Sequence, residues 1–475
     1  MLSKGVLQIG SANVVSQIIS FIAVPLITRI YSPVEYGIFS VALAIIGVLV
    51  PLSALKYSSA IVLPGEQREA ANVFALSLCM VFVMTLMSGL IIEGLSVLIP
   101  SLVLGRASYI YVLLILSVLA QGLAQVIALW SIRIKDFPTS ALSRVVESLC
   151  DRGLVLGFGF YGTATAGVLI SGRIVGSAMS AAFSSYRAWD KGHGSPLKYV
   201  NVTEVLRAAR RYKSFALYST WASLFDATSR QLPMLIMAQA FPVLIVGYYG
   251  LALQAINLPM MVVGDAIATV FVQKAAENKS DKTVLSKISL NIVSYLLYLI
   301  IAPTIILTFQ GEELFAILFG ERWRGAGEFA EILAMGFMVM FLHRPISALF
   351  DVLELQKQRM YFDAAIFVVR CGSALAGAYI YGSYVFVIAG ITVGSIVVYG
   401  LGIFYLLGTV HVGGCRVFLV GVKAFIFFSP TTIALAVFRF TNMGLPERIL
   451  IGSVAIFGQL LVRCVLRPDT VVETK

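Results

Sequence analysis

The chain has 475 residues, 59% of them hydrophobic and 12% charged, with a net charge of +11 and a mean hydropathy of +0.92. A soluble domain carries about a quarter charged residues, so this apolar excess excludes a single aqueous core and makes lipid the main solvent. The basic balance falls mostly in short loops on one face, which points to membrane orientation and anionic headgroups and away from nucleic acid.

A helix needs about 20 apolar residues to cross the hydrocarbon. In chain order the runs that meet this are 7–30, 37–56, 70–99, 108–132, 139–161, 164–187, 214–240, 244–272, 284–310, 325–352, 359–381, 384–408, 416–440 and 447–466. The first is too long for a signal-peptide core and lacks a small-residue cleavage site, so it reads as a transmembrane helix. The eleventh and twelfth are split at "YGS" (Tyr381–Ser383). Fourteen spans put both termini on one side. With that side cytoplasmic, the outer loops hold only Arg29, Arg106, Arg322, Arg324, Arg439 and Arg448, while the inner loops hold most of the other Lys and Arg. A wrong count would mix the two sides, so the asymmetry supports it. The largest inner connection, 188–213, contains "RAARRYK" (Arg207–Lys213). The outer segment "GEELFAILFGERWRGAGEF" (Gly311–Phe329) is short and amphipathic; it is expected at the interface, with Trp323 at headgroup depth.

Cys79, Cys150, Cys371, Cys415 and Cys464 are scattered, mostly in apolar runs, with neither a disulfide framework nor metal spacing. His193, His343 and His411 are far apart. No metal, cofactor or histidine-centred catalysis is expected.

The end of span one and its loop recur after span seven. "AVPLITRIYSPVEYGIFSVAL" (Ala23–Leu43) aligns with "QLPMLIMAQAFPVLIVGYYGLAL" (Gln231–Leu253) at an offset of about 210 residues. Pro25 falls over Pro233, Pro33–Val34 over Pro242–Val243, and Gly37 over Gly247 or Gly250. Spans one to six are then copied as seven to twelve. Six is even, so the repeat is parallel, with Pro25, Gly37, Pro233 and Gly247 as its punctuation and hinges. The domains expected are an N-lobe at 1–187, a basic cytoplasmic linker at 188–213, a C-lobe at 214–410, and two further helices with a short tail at 411–475.

The same stretches carry a family resemblance. "ITRIYSPVEYGIFSVALAIIGVLVPLSALKYSSAIVLPGEQREAANVFAL" (Ile27–Leu76), Arg211–Glu277, "ELFAILFGERWRGAGEFAEIL" (Glu313–Leu333) and "RPISALFDVLELQKQ" (Arg344–Gln358) resemble the Wzx-type O-antigen and capsule flippases of the multidrug/oligosaccharidyl-lipid/polysaccharide (MOP) exporter superfamily. The resemblance implies an all-α integral membrane protein with a MATE-like bundle: two six-helix lobes around a central cavity, with spans thirteen and fourteen added. It implies transport of oligosaccharide units linked to undecaprenyl pyrophosphate, from the inner to the outer leaflet of the bacterial cytoplasmic membrane. No covalent chemistry is expected. Coupling to H⁺ or Na⁺ has been proposed for such proteins. Membrane lipids, a polysaccharide polymerase and its chain-length regulator are the further partners to consider.

A charge at the bilayer centre costs roughly 2.5–3.5 kcal/mol on insertion scales, so each one calls for a reason. Arg144 and Arg152 lie in span five, Arg173 in six, Arg230 in seven, Arg344 in ten and Arg370 in eleven; the acids are Glu147, Asp151, Asp226 and Asp265. Arg144 and Glu147 are spaced i,i+3 and Asp226 and Arg230 i,i+4, so each pair is a candidate internal salt bridge. Glu147 and Asp151 share a face, where two close carboxylates favour retention of a proton. Arg173, Arg344 and Arg370 have no acid one turn away on their own helices and should point to a partner or a wet cavity. Six arginines against four acids suit an anionic cargo, because the guanidinium fork matches phosphate oxygens. Asp265 is either an arginine's partner or an ion-coupling carboxylate. Amides and small residues stand at many of the matching places in the family, so the charges of spans five and seven rest on physics and not on inherited motif. Asn13 with Gln17, and Gln121 with Gln125, share helix faces and suit interhelical hydrogen bonds more readily than sugar hydroxyls.

Two other readings compete. A MATE-like exporter of drugs or of another lipid-linked precursor would share the architecture, but a drug exporter for cations would more naturally have an acidic cavity. A membrane polymerase or glycosyltransferase would call for a sizeable extramembrane loop, whereas the largest here, 188–213, has only Asp190 and Glu204 as acids.

Overall fold

A computed structural model of the chain describes residues 2–98, 108–190 and 196–439. Among the described residues the chain is helical, with no strand. The α-helices in order are α1 (Leu2–Ile30), α2 (Pro33–Leu49), α3 (Tyr57–Ala60), α4 (Gln67–Leu98), α5 (Ser108–Arg133), α6 (Phe137–Phe160), α7 (Ala166–Asp190), α8 (Val202–Arg211), α9 (Thr220–Ala240), α10 (Val243–Pro259), α11 (Asp265–Glu277), α12 (Lys282–Phe319), α13 (Arg324–Ile346), α14 (Leu349–Val352), α15 (Gln356–Leu375), α16 (Tyr384–Thr409) and α17 (Gly414–Arg439).

The punctuation of the sequence sets these limits. Ser32 accepts from the Glu35 backbone N–H at 3.3 Å and Pro33 opens α2, where its missing N–H costs nothing. Asp136 caps α6 through Thr139 N–H (3.3 Å), and Asp281 caps α12 through Thr283 and Val284. Glu35 has a longer reach: its carboxylate accepts the Ala166 N–H at 2.5 Å, capping α7 from α2. An anion at a helix N-terminus also complements the helix dipole. Gly382, at φ +61°, forms the break between the expected eleventh and twelfth spans.

Among the described residues nine helices are long and apolar enough to cross a membrane, so the count of fourteen is not reached. The differences have physical reasons. Spans five and seven are helices α6 and α9, but their charges lower their hydropathy. Span eight is α10 and α11 joined through a π-helical turn, Met260–Gly264. The thirteenth span corresponds to α17, while the fourteenth, 447–466, lies outside the described residues.

The outer segment 311–329, expected as a short amphipathic stretch, is largely helical. α12 does not stop at 310; it kinks at Gln310 (φ −136°) and continues to Phe319. Glu331 on α13 accepts the Glu312 N–H at 3.2 Å and so restarts the helix. A Cβ on Gly311 would come within 2.8 Å of the Gly327 carbonyl, so the two helices back onto each other there. Trp323, expected at headgroup depth, is fully buried.

The chain forms two compact units. The first comprises Met1–Leu258 and Arg370–Val387. In it α7 packs on α6 through Gly172 and Gly176, a small-xxx-small stripe that lets the backbones approach. A Cβ on Gly176 would lie 2.7 Å from the Glu147 carbonyl oxygen. A second core gathers Phe74, Trp130, Ile61 and Tyr212 around α4. The second unit comprises Pro259–Val369 and Ile388–Lys475. Its core centres on α12 and α13, with Phe271, Leu296, Phe350, Leu406 and Phe428 buried.

Within the first unit α2 meets α10 at the glycines of the sequence repeat. A Cβ on Gly247 would collide with the Pro33 carbonyl, and a Cβ on Gly37 with the Val243 carbonyl. Gly250 faces the Ser40 hydroxyl. Pro33 thus meets the counterpart of Gly37, and Gly37 meets Val243, the counterpart of Val34, one residue from exact reciprocity at an offset of about 210. This near-reciprocity is what a two-fold relation between repeated helices produces, and it pairs Gly37 with Gly247 in preference to Gly250. Pro25 and Pro233 both lie inside helices, α1 and α9. Gly247→Ala is expected to lower the melting temperature of the purified protein, at about 1–3 kcal/mol for over-packing. Gly153→Ala, whose added Cβ meets nothing within 4 Å, should leave it unchanged or raise it.

Candidate buried charge site

The charges of span five collect on the face of α6 that meets α1 and α7. Ser148 donates to the Ser16 carbonyl at 3.2 Å and holds α1 close. Arg144 donates to Asn13 on α1 at 2.6 Å, and Glu147 accepts from Ser177 on α7 at 3.2 Å. Arg144 and Glu147 therefore engage different neighbours and do not form the internal pair their spacing allowed.

One turn on, Asp151 is shared. Its carboxylate lies 3.7 Å from Arg152 and 3.6 Å from Arg173 on α7. The side chains of Asp151 and Arg152 are 5% and 8% exposed, and that of Arg173 is 35% exposed. Gly172 makes the approach feasible, since a Cβ there would sit 2.7 Å from Asp151 Oδ1. Charges this deep are tolerated only when paired. Two arginines on one carboxylate leave the trio one positive charge in excess. Asp151 Oδ1, Arg152 Nε and Arg173 Nε are buried without a hydrogen-bond partner. The nearest charges to Asp151 are thus arginines, and Glu147, which shares its helix face, is held by Ser177.

Tyr36 and Gln254 complete the site. Tyr36 is buried on α2, donates its hydroxyl to Gln254 Oε1 on α10, and has Arg152 and Arg173 as charged neighbours. Neither residue stood out in the sequence, because a tyrosine and an amide among apolar neighbours give no charge signal. Tyr36 lies within the repeated stretch and Gln254 directly after it, and that placement was the only cue.

The other charges distribute differently. Asp226 and Arg230 pair along α9, as the i,i+4 spacing suggested, and both are exposed on the protein surface. In the second unit Arg344 on α13 donates to Asp265 at 2.6 Å. Asp265 opens α11 just after the π-helical turn, and Gly264, the residue before it, lies beside the Arg344 aliphatic stem. Of the two roles open to Asp265, the structure displays that of arginine partner. Arg370, on α15, is half-buried and neighbours Tyr249. Within the second unit, His343, the residue before Arg344 on α13, is buried and stacked on Phe362 at 4.5 Å. Among the described residues no group of three His, Cys, Asp or Glu side chains could hold a metal.

Asp151→Asn removes the one acid that two arginines share among the described residues. It is expected to destabilise the purified protein by about 3–5 kcal/mol, the usual result of leaving a buried charge uncompensated. The double variant Asp151→Asn/Arg152→Gln should recover part of that loss in the same thermal melts.

Comparison with known proteins places this architecture. Residues 26–328 match the model of a family described as polysaccharide biosynthesis protein. No curated protein matches the chain. Among solved structures, the lipid II flippase MurJ in an inward closed conformation superposes with a TM-score of 0.71 at 14% identity, over 97% of this chain and 100% of that one. An inward-facing multidrug resistance MATE family transporter of the MOP superfamily gives 0.59 at 16% identity, over 84% and 94%. A MOP superfamily transporter from Pyrococcus furiosus gives 0.52 at 14% identity, over 86% and 97%. At these identities the likeness is one of fold, and it is the MATE-like fold expected from the sequence. The family match spans more than half of the chain, and the protein belongs to the polysaccharide biosynthesis protein family, built as a multi-pass membrane protein on the MOP superfamily fold.

Proposed function

We propose that the protein is a flippase for lipid-linked oligosaccharides, carrying repeat units on undecaprenyl pyrophosphate from the inner to the outer leaflet of the bacterial cytoplasmic membrane. The units would serve O-antigen, capsule or exopolysaccharide synthesis. Both termini would be cytoplasmic, and the lobes at 1–187 and 214–410 would alternate access to the cargo. The observation that carries the reading is the buried trio of Asp151, Arg152 and Arg173, with its excess positive charge and unmet hydrogen-bonding atoms. Family membership supplies the polysaccharide context.

The trio suggests how cargo and coupling ion could share one site. In the resting site Asp151 occupies the anion position between the two guanidinium groups. A pyrophosphate, with more acceptor oxygens and more charge, competes for the same donors. Displaced from the arginines, Asp151 would be a buried carboxylate without a counter-charge, a state that favours uptake of H⁺ or Na⁺. Cargo binding and cation binding would then reinforce each other, and no covalent chemistry is needed. Arg344, Arg370, Arg230 and Arg144 would serve as further cationic positions, and Asp265 and Asp226 as secondary acids. A polymerase with its chain-length regulator would take the unit at the outer leaflet.

The test is a deletion strain complemented at matched expression, read by surface glycan and by the lipid-linked pool. Deletion should abolish surface glycan and trap a complete repeat unit on its lipid carrier at the cytoplasmic side. Arg173→Ala and Arg152→Gln should reduce complementation at least tenfold, the scale of one lost charge-assisted contact (about 1.5–3 kcal/mol). Arg173→Lys should restore it in part, since the charge returns without the fork. Normal surface glycan in the deletion strain, accompanied by altered drug sensitivity, would overturn the proposal in favour of an exporter.

A further inference from the structure

The connection between α7 and α9 contains a short helix with three distinct faces. α8 is capped by Asn201, which accepts from Thr203 N–H at 2.9 Å. One face is fastened to the first unit. Ala208 and Tyr212 are buried, the Tyr212 hydroxyl donates to Glu69 on α4 at 3.0 Å, and the Tyr57 hydroxyl donates to the Ala209 carbonyl at 3.2 Å. Just before the helix, the Asn201 N–H donates to Asn72 at 2.9 Å. The helix is thus held rigidly against the start of α4.

The second face is apolar and uncovered. Val202 and Leu206, one turn apart, are 75% and 60% exposed, and Tyr199 and Val200 ahead of them are also exposed. The third face is basic. Glu204 is occupied by Arg207 (2.6 Å) and Glu69 by Arg211 (2.7 Å). Lys198, Arg210 and Lys213 are exposed and have no acidic partner among the described residues. At 100° per residue Arg210 lies beside the Val202–Leu206 side, and Lys213 follows just after the end of the helix. Within about two turns after Lys213, Tyr218 just before α9 and Trp221 at its start are exposed. Amphipathic aromatics at that level mark the headgroup region.

We infer that α8 is an interfacial docking helix for the anionic phospholipids of the leaflet it faces, with Val202 and Leu206 entering the acyl boundary and Lys198, Arg210 and Lys213 holding headgroup phosphates. The charge pattern favours lipid over an apolar protein partner: two aliphatic side chains make a small greasy contact, and the unpaired cations beside them match a phosphate surface. Docking would fix the height of the linker where α9 enters the membrane.

The test uses the full-length protein in detergent, titrated with phosphatidylglycerol or phosphatidylcholine and read by native mass spectrometry. The wild type should bind phosphatidylglycerol in preference. Arg210→Gln and Lys213→Gln should each weaken that binding about fivefold, the scale of one cation at an anionic surface, and leave phosphatidylcholine binding unchanged. Val202→Ser/Leu206→Ser should weaken both lipids. Arg207→Gln, whose cation already has Glu204, should change little, and unchanged melting temperatures will show that the variants are folded. Equal affinity for the two lipids, or wild-type phosphatidylglycerol binding in the Arg210→Gln/Lys213→Gln variant, would overturn the inference. So would displacement of the bound phosphatidylglycerol by soluble pyrophosphate at low millimolar concentration, which would assign the surface to the cargo's headgroup.

Discussion

A charge inside hydrocarbon must find a counter-charge, and the interior of the first unit is arranged around that constraint. Asp151, Arg152 and Arg173 lie on two helices that would be too far apart to share a carboxylate if ordinary side chains separated them. Gly172 and Gly176 bring α6 and α7 together, and the same glycines place the Glu147 backbone and Asp151 against α7. Packing and electrostatics are therefore one problem here: the small residues permit the ion triad, and the triad makes a charged helix tolerable in lipid. The surplus positive charge is what such a triad leaves for an anionic ligand. In the second unit Arg344 and Asp265 meet the same constraint with one acid for one arginine, next to a π-helical turn.

Close backbone approach recurs where the sequence repeats. The opposition of Gly37 with Val243 and of Gly247 with Pro33 places two copies of one motif back to back. Near this contact, the buried Tyr36 and the half-buried Gln254 link it to the arginines. The glycine contact and the charge site thus belong to one stretch of α2. A change in the approach of α2 to α10 would be felt by the hydroxyl that faces Arg152 and Arg173. Glu35, one residue earlier, caps α7 and so also positions Arg173. The motif "SPVEYG" therefore combines a helix start, a distant cap, a polar site residue and a contact glycine within six residues.

Outside the membrane-spanning helices the same economy of charge operates in water. Arg211 and Tyr212 fasten α8 to Glu69, while Arg210 and Lys213 have no acidic partner among the described residues. The residues of "RAARRYK" divide by helical phase: some hold the linker to the protein, and others face outward with Val202 and Leu206.

The sequence alone determined the class of the protein. Hydropathy, loop charge and the repeated proline and glycine punctuation follow from the length of a membrane crossing and the cost of unpaired backbone, and both act locally along the chain. It also singled out the arginines and acids of spans five to eight, ten and eleven as charges that would need partners, because insertion penalises a residue whatever its neighbours. Which partner each one found was decided by tertiary structure. Arg144 and Glu147 could bond along their own helix, yet interhelical neighbours offered better geometry, so Asn13 and Ser177 took them. Asp226 and Arg230, on a surface with no such competitor shown, kept the local pair. Trp323 was read as an interfacial anchor from its loop context, and the continuation of α12 past Gln310 buried it instead. Tyr36 and Gln254 were invisible for a related reason: a neutral polar side chain becomes informative only when the fold sets it beside a charge.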